Sequence, residues 1–325
     1  MKIAESLGRM PLLAHVPPEQ LHLLATCVSR NRFPPGATIL RQGDPTLDAY
    51  FVESGEVRIL RQTPYGLFTL ALLGKGDLFG EASFIDASVR SGEAVAESDA
   101  LLLALHAVAV EAAVARDPRL GMALYWVIWK SLSAKLRATN EKLTQFFAHG
   151  GGAAVHRPSP RRSTTGEFRV DLHTKRDLFA EQRLSSLEIN FLTSLSRERK
   201  LKPDEVLFRE GEAGDAMYVV LEGRIRISKY IPGAGEEALA FVERGDYFGE
   251  MALIDNQPRS AEARAHDDGA VVLAIPKNVV EGLLDMRKVA SLRLLRILCS
   301  LVAKRLREID DKLVGWFILA GGAPT

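Results

Sequence analysis

The sequence predicts an α+β protein, mainly β, built as two jelly-roll or barrel domains, each with flanking helices and a long C-terminal helix. Three observations predict it. One sixteen-residue string occurs twice, as FGEASFIDASVRSGEA at 79–94 and FGEMALIDNQPRSAEA at 248–263, with nine identities and no gap. Short β-branched and aromatic runs lie upstream of each copy, punctuated by glycines at hairpin spacing. Each copy then runs into a helix whose apolar residues are spaced like a coiled-coil seam. A chain of 325 residues has room for about two domains at ~100–200 residues each.

The repeat extends upstream. Residues 39–60 pair with 207–228, placing Gly43 on Gly211, Tyr50 on Tyr218 and Gly55 on Gly223. A repeat of this length means two copies of one domain, not a solenoid of short units. In order along the chain, Tyr50-Phe51-Val52, Val57-Arg58-Ile59, Met217-Tyr218-Val219-Val220 and Ile225-Arg226-Ile227 read as strands. Pro64-Tyr65-Gly66 and Pro232-Gly233-Ala234-Gly235 read as hairpin turns. Leu132, Leu136, Thr139, Leu143 and Phe146 line the first terminal helix; Leu306, Ile309, Leu313 and Trp316 line the second. The stretch 149–176 holds a glycine triplet, two prolines and an excess of four positive charges (six Lys/Arg, two acids). It reads as a Gly/Pro/Arg-rich linker, with the first domain at 9–148 and the second at 177–319.

Charge and composition exclude several classes. Forty-two Lys+Arg oppose 41 Asp+Glu, for a net charge of +1, which argues against a basic nucleic-acid partner. Hydrophobic residues at 47% exclude global disorder. Two distant cysteines, Cys27 and Cys299, give no disulfide framework and favour a reducing cytoplasm. The longest apolar stretch, 100–115, contains His106 and Glu111 and falls short of the ~20 residues a membrane span needs. No GxxxxGK[ST], HExxH, CxxC pair or GxSxG occurs, so no enzyme, catalytic residue, metal site or cofactor is expected. Only ten residues, 316–325, end or follow the second helix, too few for a DNA-reading motif.

The repeated string has its own chemistry. Gly80 and Gly249 admit backbone conformations closed to other residues. Glu81 and Glu250 follow, and nine residues later come Arg90 and Arg259, planar forks of donors suited to phosphate oxygens. Ser91 and Ser260 add a hydroxyl and an amide at the same place. An acid beside an anion site makes sense when a sugar hydroxyl accompanies the phosphate.

At these residues the chain resembles the cyclic nucleotide-binding domain family, whose phosphate-binding cassette reads FGE-x-A-[LI] followed by PR-[STA]-A. Phe248-Gly249-Glu250-Met251-Ala252-Leu253 and Pro258-Arg259-Ser260-Ala261 match it in full. Gly36, Ile39, Gly43-Asp44 and Gly55 fit the family's strands and turns. The resemblance implies that Glu250 takes the ribose 2′-hydroxyl, Arg259 the phosphate, and Gly249, Ala252 and Ser260 complete the cradle. In the first copy the same roles fall on Gly80, Glu81, Arg90 and Ser91. That copy departs from the pattern at Val89, where proline is usual, at Ser83-Phe84 and at Gly92, which puts its preorganisation in question. The helix SAKLRATNEKL (133–143) resembles the long helix of the bacterial catabolite activator family. The likeness implies adenine contacts at Thr139 and Asn140, although Thr139 also fits the helix seam. Serine at 91 and 260 leaves cAMP and cGMP both open, and the helix favours cAMP.

The tandem layout is similar to regulatory subunits of cAMP-dependent protein kinases. It implies a cyclic nucleotide-binding signalling protein that moves its helices and changes its contacts with an unidentified protein effector, with a homodimer through the long helices as a further option. The alternative is a nucleotide-independent scaffold or assembly subunit built on the same folds. Tyr125, Trp126 and Trp129 fit helix-face packing better than a purine cap.

Overall fold

The structure, a computed structural model, describes residues 2–148, 169–231, 235–284 and 291–319. Most of the expected linker (149–168), the turn residues 232–234 and the tail 320–325 lie outside the described residues. The chain divides into two units. The first is Met1–Thr139 with Leu295–Pro324, and the second is essentially Asn140–Leu294.

In the first unit, α1 (Ile3–Gly8), a 3-10 turn (Pro11–Leu13) and α2 (Pro18–Ala25) precede the strands. Pro18 opens α2 where its fixed φ suits a helix and its missing N–H would have had no partner. Strands β1 (Val28–Phe33), β2 (Thr38–Leu40), β3 (Ala49–Ser54), β4 (Val57–Thr63), β5 (Gly66–Leu73) and β6 (Leu78–Phe79) lead to α3 (Glu81–Asp86). β7 (Glu93–Ala96) and β8 (Ala100–Leu105) complete two antiparallel four-stranded sheets, ordered β1-β8-β3-β6 and β2-β7-β4-β5. Of the two shapes expected, the jelly roll is the one formed. Val52, Val57, Phe79, Ala96 and Leu102 meet in its core. The β4–β5 hairpin turns at Pro64-Tyr65, with Thr63 opposite Gly66, where the sequence places it. Gly55 (φ 82°) makes the β3–β4 turn; a Cβ there would sit 2.4 Å from the Asp99 carbonyl oxygen. α4 (Ala107–Arg116) and α5 (Pro118–Ala148) follow. Leu132, Leu136, Thr139 and Leu143 are buried on α5, while the Phe146 side chain lies outside the described residues.

The second unit opens with α6 (Leu172–Glu181), which begins inside the stretch read as linker. Asp171 caps it by accepting from the Thr174 amide at 2.9 Å. α7 (Ser186–Leu195) starts with a reciprocal capping box between Ser185 and Glu188. β9 (Arg197–Leu201), β10 (Val206–Phe208), β11 (Ala216–Ile231), β12 (Gly235–Val242), β13 (Tyr247–Phe248), α8 (Met251–Asp255) and β14 (Glu262–Pro276) repeat the first jelly roll. Here the two runs 217–220 and 225–227 belong to one strand, β11. Its ladder with β14 continues through register shifts around Glu222 and Gly223. All six strands therefore form one connected sheet, β10-β14-β11-β12 with β13 on β11 and β9 on β14. α9 (Lys277–Leu283) and α10 (Leu292–Leu319) end the described chain. From Leu295 onward α10 counts with the first unit.

Candidate functional site

Each repeat builds the same cradle from a tight turn, a buried acid and a buried arginine. In the first, β6 ends at Phe79, and Gly80 (φ 78°) swings the chain into α3. A side chain at Gly80 would come within 2.9 Å of Arg90 Nη1. Glu81, the first residue of α3, is 2% exposed, and Arg90 is 3% exposed. Arg90 donates through Nη1 to the Gly80 carbonyl (2.8 Å), through Nη2 to the Asp48 carbonyl (2.5 Å) and through Nε to Thr46 Oγ1 (3.2 Å).

The second cradle is laid out alike. Gly249 (φ 75°) leads to Glu250, 1% exposed, at the cap of α8. Arg259, 4% exposed, donates to the Gly249 carbonyl (2.5 Å) and the Ala216 carbonyl (2.7 Å). Its guanidinium lies 4.2 Å from the Phe208 ring centroid and 5.7 Å from that of Tyr218, a favourable placement for a cation. Its Nε is buried and has no hydrogen-bond partner. The reason lies at the position matching Thr46, which is Gly214. A Cβ there would meet Ala252 Cβ at 2.4 Å and Arg259 Cζ at 3.1 Å.

The missing proline before Arg90 does not disturb the backbone. Gly43 donates to the Arg90 carbonyl and Arg90 to the Asp44 carbonyl, both at 2.9 Å. In the second copy Gly211 donates to Arg259 at 2.9 Å and Arg259 to Glu212 at 2.8 Å. Val89 itself points outward, 57% exposed, so its side chain carries none of the cradle.

The electrostatics are those of a waiting cation. Arg90 and Arg259 are both held below the ordinary guanidinium range, first by burial. Neither forms an ion pair with a carboxylate among the described residues; their printed partners are carbonyls and one hydroxyl. Each keeps N–H donors beyond those bonds. The carboxylates of Asp48, Asp44 and Glu81 act on Arg90, and those of Asp215, Glu250 and Glu212 on Arg259, and offset that burial only in part. Tyr50 and Tyr218 are raised, chiefly by burial, and remain neutral neighbours.

The structure thus brings Gly80, Glu81 and Arg90 together, and Gly249, Glu250, Ala252 and Arg259 together. Ser91 and Ser260 follow the arginines and are half-buried; Ser260 Oγ lies 3.9 Å from Met251 Sδ. Thr139 and Asn140 are buried on α5. Thr139 donates to Asp310 Oδ1 at 3.2 Å, and Asn140 Oδ1 has no hydrogen-bond partner. Trp126 and Trp129 pack edge to face at 5.6 Å, and Tyr125 stacks under Arg296 at 4.9 Å, so these aromatics serve helix packing.

Sequence reasoning missed the support on α5. Lys135 Nζ bonds Glu81 Oε1 (2.5 Å) and the Leu78 carbonyl (2.6 Å), and Ser131 Oγ bonds Glu81 Oε1 at 3.1 Å. Its signal was present: Ser131, Lys135 and Thr139 recur every four residues, on one helix face. Thr46 carried no such signal. Among the described residues, no group of His, Cys, Asp and Glu could hold a metal ion, and no helix is long and apolar enough to cross a membrane.

Comparison with known proteins covers both repeats. The profile of the cyclic nucleotide-binding domain matches residues 30–117 and 198–287. A cyclic AMP receptor protein from Thermus thermophilus is 45% identical over 96 residues, covering 29% of this chain and 44% of that protein. The cGMP-dependent protein kinase egl-4 of Caenorhabditis elegans is 23% identical over 279 residues, 85% of this chain and 29% of the kinase. The matches therefore span less than half the length of these curated relatives. Among solved structures, the regulatory domain of Toxoplasma gondii PKA with cAMP aligns over 86% of this chain and 90% of its own, at 19% identity and a TM-score of 0.33.

Proposed function

The chain belongs to the cyclic nucleotide-binding domain family, and we propose that it is a regulatory protein whose two cradles bind cAMP. One observation carries the ligand class. Arg90 and Arg259 are buried beside buried glutamates, and no carboxylate in the described structure pairs with either arginine. A cyclic phosphate supplies oxygens for the guanidinium donors that remain, and its ribose hydroxyl supplies a donor for Glu81 or Glu250. Ser91 and Ser260 stand next to the arginines to add a hydroxyl or amide to the phosphate.

Ligand binding favours whichever placement of the long helices covers the base, and the surface offered to a protein effector shifts with it. In this reading the protein does no chemistry of its own. Titration calorimetry of the full chain with cAMP and cGMP tests it. Two binding events are expected, Arg90→Ala removing one and Arg259→Ala the other. At about 100 times Kd, each occupied site adds ~2.7 kcal/mol of stability, visible as a thermal shift. Binding that ignores both substitutions, or no heat with either nucleotide, overturns the proposal and favours a nucleotide-independent scaffold.

A further inference from the structure

We propose that Ser29, His106 and Asp48 form a nucleophilic site on the first unit that takes up small acyl groups from carboxylic esters. Ser29 is the nucleophile, His106 its base, and Asp48 the residue that positions the base. The site is independent of what the cradles bind.

Ser29 lies on β1, Asp48 stands just before β3, and His106 caps α4. Asp48 Oδ2 lies 2.8 Å from His106 Nδ1, and His106 Nε2 lies 2.8 Å from Ser29 Oγ. Asp48 Oδ1 accepts from the Ala107 amide at 3.0 Å, which fixes the carboxylate. A carboxylate facing Nδ1 keeps the ring proton on that nitrogen, so the neutral imidazole presents the Nε2 lone pair to the serine hydroxyl. Nucleophile, base and orienting acid in series are the arrangement of a serine hydrolase. Asn31, two residues along β1 on the same face, donates from Nδ2 to Ser29 Oγ at 3.4 Å. Its amide is within reach of an oxygen that turns anionic on an acyl carbon bound to that serine. The site is open, with the side chains of His106 and Asp48 44% and 33% exposed and Ser29 half-buried, which suits small acyl groups.

The second repeat shows that the fold does not require the trio. Tyr50 pairs with Ala104, and Ala104 with Ser29; Tyr218 pairs with Ala274, and Ala274 with Arg197. Arg197, Ala216 and Pro276 therefore stand where Ser29, Asp48 and His106 do. The Ala216 carbonyl still receives Arg259 as the Asp48 carbonyl receives Arg90. The Lys277 amide, at the start of α9, donates to the Asp215 carbonyl at 2.8 Å in place of a carboxylate. Cradle and helix start are thus both served without these side chains. No motif announces the trio, because His106 lies 58 positions from Asp48 and 77 from Ser29.

In the first half of the reaction, Ser29 Oγ bonds the acyl carbon while its proton passes to His106 Nε2. The C–O bond to the alcohol breaks, and the alkoxide leaves with that proton. In the second half, water gives a proton to the same nitrogen and attacks the acyl carbon. The carboxylic acid leaves, and the proton returns to Ser29 Oγ.

The test treats the full chain with p-nitrophenyl acetate and with a fluorophosphonate, which loses fluoride as its phosphorus bonds a nucleophilic serine. Peptide mass spectrometry is expected to place the acetyl or phosphonyl group on Ser29. Nitrophenol release and labelling should both slow about a hundredfold in His106→Gln. Asp48→Asn keeps an acceptor for the Ala107 amide and turns an NH₂ toward Nδ1, which moves the ring proton to Nε2. The rate should fall, and the rise with pH that a deprotonating imidazole gives the parent should disappear. Melting temperatures of the variants separate these losses from unfolding. A parent chain whose Ser29 takes neither reagent overturns the proposal without any variant. Labelling of Ser29 that is as fast in His106→Gln as in the parent overturns it as well. A slower Asp48→Asn with the parent's pH profile removes Asp48 from the assignment and leaves it the cap of α4.

Discussion

Two arginines at matched positions differ by one hydrogen bond. Arg90 reaches Thr46 through Nε, whereas Arg259 Nε is buried without a partner because Gly214 stands where Thr46 would be. The threonine cannot simply be restored, since even a methyl at Gly214 would overlap Ala252 and crowd Arg259. Gly214→Ala is therefore expected to cost about 1–3 kcal/mol through overpacking and to weaken binding at the second cradle while leaving the first unchanged. Calorimetry and thermal melts of the full chain measure both, and an unchanged second site would mean that α8 gives way without moving Arg259. The two buried arginines themselves were legible, because a Gly-Glu turn and an Arg nine residues on recur in both copies. Thr46 was not, because its role depends on how the β2–β3 connection folds over the guanidinium.

At the level of elements, α5 holds the first cradle's acid. Glu81 is almost fully buried, and Lys135 is its charged partner. Removing the ammonium while leaving the carboxylate strands a buried charge. Lys135→Met should thus destabilise the first unit by about 3 kcal/mol. The double variant Lys135→Met/Glu81→Gln should recover most of that loss, which a double-mutant cycle by urea unfolding would show. Equal losses in the single and double variants would show instead that the methylene stem of Lys135 matters through packing. Elements bounded by local signals, such as the Pro64-Tyr65 hairpin, were readable in advance. The long strand β11 was not read as continuous, because glycine usually ends a strand, whereas Gly223, at φ 75°, lets β11 pass through an irregularity and keep its partner.

For the molecule as a whole, the sequence gives two copies in series, but α10 from Leu295 onward belongs with the first unit. No local pattern announces this: the pairs Arg307–Asp86, Asp311–Arg61 and Asp310–Thr139 join residues 171 to 250 positions apart. One consequence is a pH dependence of stability. Burial pushes the Asp310 carboxyl up to about 6, and the nearby Asp311 pushes the same way. The Thr139 hydrogen bond and the charges of Arg61 and Lys135 oppose them only in part. An unfolded aspartate titrates near 3.9. Between those two values the folded protein binds more protons than the unfolded chain, so this group's contribution to stability is full below about pH 4 and is lost as pH rises through about 6. The shift corresponds to at most about 3 kcal/mol, and because Asp310 is only half-buried by exposed area, about 1–2 kcal/mol is the better expectation. Asp310→Asn abolishes the ionisation. It should be more stable than the parent by that amount at pH 7.5 and equal to it near pH 4. The transition to follow is the one that cAMP shifts in an Arg90-dependent manner, since a chain of two units need not unfold in one step. An asparagine variant weaker than the parent at pH 7.5 would mean that the ionised carboxylate, through Arg61 and Lys135, holds α10 in place instead of loosening it.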